Sequence, residues 1–98
     1  MSRRLVIRPE ATEEIAEAAE WYEKRGAGLS AEFLRALDAT IARVERNPLQ
    51  YPRVHQEMRR ALLRRFPYGV IFTVSDEEIV ILACTHGKQH PRRWQRRR

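Results

Sequence analysis

The chain has 98 residues, 43% of them hydrophobic and 33% charged, which allows one modest core and excludes a second domain. Its single cysteine, Cys84, excludes an internal disulfide and fits a reducing compartment. The net charge of +6 is uneven: Met1 to Leu49 carries eight basic and nine acidic residues, Gln50 to Arg98 eleven and four.

The opening "MSRRLVIRPE" meets Arg and Glu before any long apolar run, so neither a signal peptide nor a membrane span is expected, and the location read from it is cytoplasmic. "RRLVIRP" reads as a short strand ended by Pro9. A helix follows over "EATEEIAEAAEWYEKRG", with Ala11, Ile15, Ala18 and Tyr22 on one face. Its glutamates at 10, 13, 14, 17, 20 and 23 fill the remaining surface, and Lys24-Arg25 close it in the sense the helix dipole favours. Trp21, one step off the apolar stripe, is expected to be partly buried. Gly26 and Gly28 end this helix in a tight turn.

Ser30 reads as the N-cap of a second helix, with Glu32 in its first turn. Phe33, Leu37, Ile41 and Val44, supported by Leu34, form its buried stripe, and Asn47-Pro48 stops it. So short a connection makes the two helices an antiparallel hairpin. "LQYPRVHQE" reads as a loop anchored by Tyr51 and Val54.

Three strands follow, roughly Met58 to Arg65, Tyr68 to Val74 and Glu78 to Thr85, with "SDEE" turning between the last two. "EIVILAC" is apolar on both faces, which marks a central strand. The order is β-α-α-β-β-β: an α+β domain over residues 1–95, an antiparallel sheet with the helix hairpin packed on one face. Residues 96–98 are expected as a mobile basic tail. Trp94 has two readings, docking that tail on the sheet or standing exposed as an anchor.

Two arginine pairs, Arg59-Arg60 and Arg64-Arg65, bracket Ala61, Leu62 and Leu63 on the first of these strands, placing Arg60 and Arg64 on one face. With Arg53 before and Arg92 and Arg93 after, they are expected to converge on one groove for phosphates or an acidic peptide. Guanidinium stems covering a sheet edge are the plainer reading. Cys84, His86 and His90 spell C-x-H-x3-H, too few ligands for a closed zinc site, and no metal is assigned. Cys84 reads as core. His86, at a strand end, is either a histidine bonded to neighbouring backbone or a proton-transfer residue.

Taken in order, "AEWYEKRGAGLSAEFLRALDATIARVERNPLQYPRV", "RRALLRRFPYGVIFTV" and "ILACTHGKQHPRRW" resemble the RelE/ParE superfamily of toxins from type II toxin–antitoxin modules, over Leu5 to about Trp94. The resemblance implies the same α+β fold and a cognate antitoxin that silences the toxin, with operator DNA reached only through that antitoxin. It implies antitoxin or target contacts at Arg59, Arg60, Arg64, Arg65, His86, Arg92, Arg93 and Trp94, and neither metal nor cofactor. "AEWY" and "RFPY" resemble the ParE-like, plasmid-stabilisation side, which implies poisoning of DNA gyrase without a catalytic set. The RelE-like alternative is a ribosome-dependent mRNA endoribonuclease. That branch typically places a basic residue where this chain has Pro67-Tyr68-Gly69, so Arg65 and His86 would have to substitute. A non-toxic basic nucleic-acid-binding module is a further alternative, disfavoured by the lack of a reading motif.

Overall fold

The computed structural model describes residues 2–98. The chain runs β1 (Arg4–Ile7), α1 (Pro9–Arg25), α2 (Leu29–Arg46), a 3-10 turn (Pro48–Gln50), β2 (Arg53–His55), β3 (Met58–Leu62), β4 (Tyr68–Val74), β5 (Glu78–His86) and α3 (Arg92–Gln95). The described residues build a five-stranded sheet in the order β1-β5-β4-β3-β2. The α+β class, the helix hairpin and the three long strands of the sequence reading stand. Three details differ: β1 pairs parallel with β5, so the sheet is mixed; the expected loop after α2 contributes β2 as an antiparallel edge strand; and the strand expected over Met58 to Arg65 ends at Leu62. Among the described residues no helix is long and apolar enough to cross a membrane.

The sheet is covered on both faces. On one side Ala11 and Ala18 of α1 and Phe33, Leu37, Ile41 and Val44 of α2 meet Ala61, Val70, Phe72, Ile79 and Ile81. Ile15 and Tyr22 pack against this cluster, Tyr22 stacking on Phe33 with ring centroids 5.4 Å apart. On the other side Trp94 joins Met58, Ile71, Val80, Leu82 and Ala83. Residues 79–85 of β5 are all buried, as a strand with both faces covered requires.

The hairpin joint departs from the expected capping. Gly28, in the left-handed region at φ 87°, is the N-cap of α2, and Ser30 lies inside the first turn. Glu23 of α1 performs the capping instead. Its carboxylate accepts from the Ser30 hydroxyl at 2.8 Å, the Ser30 amide at 3.1 Å and the Gly28 amide at 3.2 Å. The Ser30 hydroxyl and these amides hold the Glu23 carboxyl below its usual range. Amide donors left open at the start of α2 are thus satisfied from the preceding helix.

Trp21 and Leu34 are more exposed than the stripes imply, at 48% and 38%, because each lies at the flank of its helix and not over the sheet. The Trp21 ring is covered by the Arg25 guanidinium, 3.4 Å from its centroid. Leu37, only 3% exposed and central to the larger cluster, is the position to test. Leu37→Ala should lower unfolding free energy by about 2–5 kcal/mol, a large part of the roughly 5–15 kcal/mol of an ordinary domain. Chemical denaturation measures it; a wild-type midpoint would remove Leu37 from the core.

Candidate functional site

The basic residues do not converge on one groove. β3 ends at Leu62, and Arg64 and Arg65 fall in the bend before β4, so Arg60 and Arg64 share no strand face. Arg65 has a positive φ of 70°, a conformation no strand residue holds, and the Leu63 amide donates to the Tyr68 carbonyl at 2.9 Å to close the bend. The Arg65 guanidinium reaches the Glu32 carboxylate of α2 at 3.2 Å, beside Arg35 and Arg64.

Within β3 the first pair divides between the two faces. Arg59 pairs with Phe72 on the helix side and donates to the Tyr51 and Leu49 carbonyls at 2.6 and 3.3 Å, pinning the connection after α2. Arg60 pairs with Ile71 on the other face and is exposed. Its stem lies beside Gly69, where a Cβ would come within 3.3 Å of the Arg60 and Leu62 side chains. Arg53 stands opposite Arg59 in the β2–β3 pairing and forms an ion pair with Glu57 at 3.7 Å.

The C-terminal segment is held to the fold at Trp94 and Arg97. Trp94 is 4% exposed, packed on the sheet with its ring edge-on to His55, which decides for the docking reading. Arg97 is held more firmly still. Its two terminal nitrogens donate to the two carboxylate oxygens of Glu14 at 2.9 and 3.1 Å, and Nη1 also donates to the Leu82 carbonyl at 3.1 Å. Glu14 in turn accepts from the Cys84 amide at 3.1 Å, with Arg93 at 3.6 Å. Glu14 is only 8% exposed, so it does not belong to the solvated acidic surface of α1.

This buried pair has a structural cause. β1 pairs with β5 only as far as Ile7 against Ile81, after which Pro9 turns the chain into α1. Beyond that point β5 would present an open edge, with the Leu82 carbonyl and Cys84 amide facing away from β4. Arg97 and Glu14 take the places of strand partners. The same edge continues at His86, whose amide donates to the Gln89 side-chain oxygen at 2.9 Å. Among the described residues no buried side-chain nitrogen or oxygen lacks a partner.

His86 ends β5 with one ring nitrogen bonded to the following turn. Nδ1 accepts from the Lys88 amide at 3.0 Å, and the ring stands edge-on to Tyr68 at 5.2 Å. His90 Nδ1 accepts from the Arg92 amide at 3.1 Å. Cys84 is buried, and desolvation together with the Glu14 carboxylate pushes its thiol up to about 12, so it is no nucleophile near neutral pH. Between α1 and the end of β5 lies a cleft walled by Glu17, Trp21, Tyr68, Gln89 and Arg93. Burial, then the charges of Tyr22, Cys84 and Glu17, raises the Tyr68 hydroxyl above its ordinary value.

A family model, the ParE toxin of type II toxin–antitoxin system, parDE, matches residues 5–91. The chain belongs to the ParE toxin family. A solved structure described as the chromosomal ParDE TA system from P. aeruginosa superposes with a TM-score of 0.77 at 18% identity, covering 87% of this chain and 96% of that one. Likeness at this identity is a likeness of fold. A comparison with curated proteins gave no match.

In this ParE-family chain the sequence reading missed the Glu14–Arg97 pair, although its signal was present. Glu14 lies three residues after Ala11 and four before Ala18, squarely on the buried stripe. Removing one partner of a buried ion pair leaves the other charge desolvated, so Arg97→Ala should destabilise by about 3–5 kcal/mol. Arg96→Ala, on an exposed neighbour, should stay within about 0.5 kcal/mol of wild type. Equal unfolding midpoints for the two variants would show that Arg97 is not an anchor.

Proposed function

We propose that the protein is the toxin of a toxin–antitoxin pair, silenced by a cognate antitoxin, and that when free it poisons DNA gyrase by binding. The observation that carries this reading is that the two side chains an endoribonuclease would need are each bonded to a different neighbour within the fold. Arg65 is tied to Glu32 beside α2, whereas the His86 ring is engaged by the Lys88 amide and Tyr68 at the end of β5. General acid–base catalysis needs its groups within hydrogen-bond reach of one reacting centre. Membership of the ParE toxin family supports the same choice.

The antitoxin segment that fits this surface is acidic or amphipathic. Arg60, Arg64 and Arg65 offer it charge, and the cleft at Trp21 and Tyr68 offers aromatic surface. Arg59 and Trp94, being engaged within the fold, contribute by holding β3 and the C-terminal segment in place.

The test uses purified protein, without antitoxin, in two assays. Gyrase-dependent supercoiling should be inhibited with accumulation of cleaved DNA, and His86→Gln should inhibit as wild type does. Ribosomes programmed with mRNA should show no added cuts. Ribosome-dependent cleavage by the wild type that His86→Gln abolishes would overturn the gyrase reading, since losing a general acid or base typically lowers a rate by about 10²–10⁴-fold.

A further inference from the structure

The arginines after β5 fall into two groups with opposite roles. Arg93 and Arg97 are turned inward to Glu14. Arg92, Arg96 and Arg98 are exposed and, among the described residues, form no ion pair. Arg92 and Arg96 stand four residues apart across α3, on one side of that turn. Together with Gln95 they line a shallow depression, which runs through Gln95 and Arg96 into a second one bordered by Gln56, Arg97 and Arg98. The surface is thus a continuous strip of guanidinium and amide donors on a segment fixed by Trp94 and Arg97.

We propose that this strip binds the phosphate backbone of a nucleic-acid duplex, so that the protein contacts DNA directly. Three features select this partner. Guanidinium forks match phosphate oxygens, and a backbone is recognised by charge and donors alone. An acidic peptide would also need an apolar anchor, and the strip offers none: the one apolar side chain bordering it, Met58, is 5% exposed. A single strand would need an aromatic platform, and the aromatic ring of this segment, Trp94, is 4% exposed. This inference rests on the C-terminal geometry and is independent of whether gyrase is the target.

Anisotropy of a labelled DNA duplex, titrated with the whole protein across a salt series, tests it. Three phosphate contacts predict a slope of log K against log salt of about −2.7, or about a 40-fold loss of affinity from 50 to 200 mM. Arg92→Ala/Arg96→Ala should flatten the slope to about −0.9, leaving only about a 3.5-fold loss. Arg35→Ala/Arg46→Ala removes the same charge from exposed positions on α2 and should leave the slope as in wild type. Arg92→Lys/Arg96→Lys should restore it. Equal flattening by the two alanine pairs would mean diffuse attraction to net charge, and would overturn the proposal. So would tighter binding to a single-stranded oligonucleotide, displacement of the duplex by polyglutamate at equal charge concentration, or a flattened slope in the folded lysine variant.

Discussion

A strand longer than its neighbour must find other partners for its exposed backbone, and the architecture of this chain follows from how β5 meets that constraint. Five residues of β5, from Leu82 to His86, extend past the last residue paired with β1. On that side the Leu82 carbonyl and the Cys84 amide belong to buried residues and need partners within the fold. Glu14 from the first helix accepts from the Cys84 amide, Arg97 from the C-terminal segment donates to the Leu82 carbonyl, and Gln89 from the loop after β5 accepts from the His86 amide. A buried carboxylate and guanidinium are costly to desolvate singly. As a bidentate pair with backbone bonds on both members, they satisfy one another and the strand edge.

The organisation of the surface depends on that pair. By fixing Arg97, it sets the short helix α3 against the second face of the sheet and buries Trp94 among Met58, Ile71 and Val80. The arginines nearby then divide by geometry: those facing α1 become structural, and those facing solvent remain available to anions. A similar division runs along β3, where Arg59 braces the connection after α2 while Arg60 stays exposed one residue away. Alternation of side chains along a strand gives adjacent arginines different roles. The second pair escapes this rule because β3 ends at Leu62, before the chain reaches Arg64.

Much of the fold was legible because hydrophobic periodicity reports burial directly. Ala11, Ile15 and Ala18 at helical spacing, and the unbroken apolar run of β5, needed only their neighbours to be placed. The parallel pairing of β1 and the short strand at Arg53–His55 were not legible, since both depend on which distant edge lies open. Capping was misplaced at Ser30 because a carboxylate seven residues earlier competes for the same amides. The candidate site was the least legible part. Composition reveals an excess of arginine, but charge count carries no information on which guanidiniums meet a carboxylate in the folded chain. Glu14 alone decides this for Arg93 and Arg97.

Side chains, in place of a further stretch of backbone, seal the long strand. Amide hydrogen exchange at Cys84 and His86, followed residue by residue by NMR, tests this seal most directly. Both amides lie on an edge with no adjacent strand among the described residues, yet each is bonded to a side-chain oxygen. The Cys84 amide, held by buried Glu14, should exchange as slowly as the paired amides at the centre of β5, through openings close in free energy to global unfolding. In Arg97→Ala its protection should fall further than that of the centre of β5. Rapid exchange of the Cys84 amide in the wild type, at the rate of a frayed edge, would mean that Glu14 does not seal the strand.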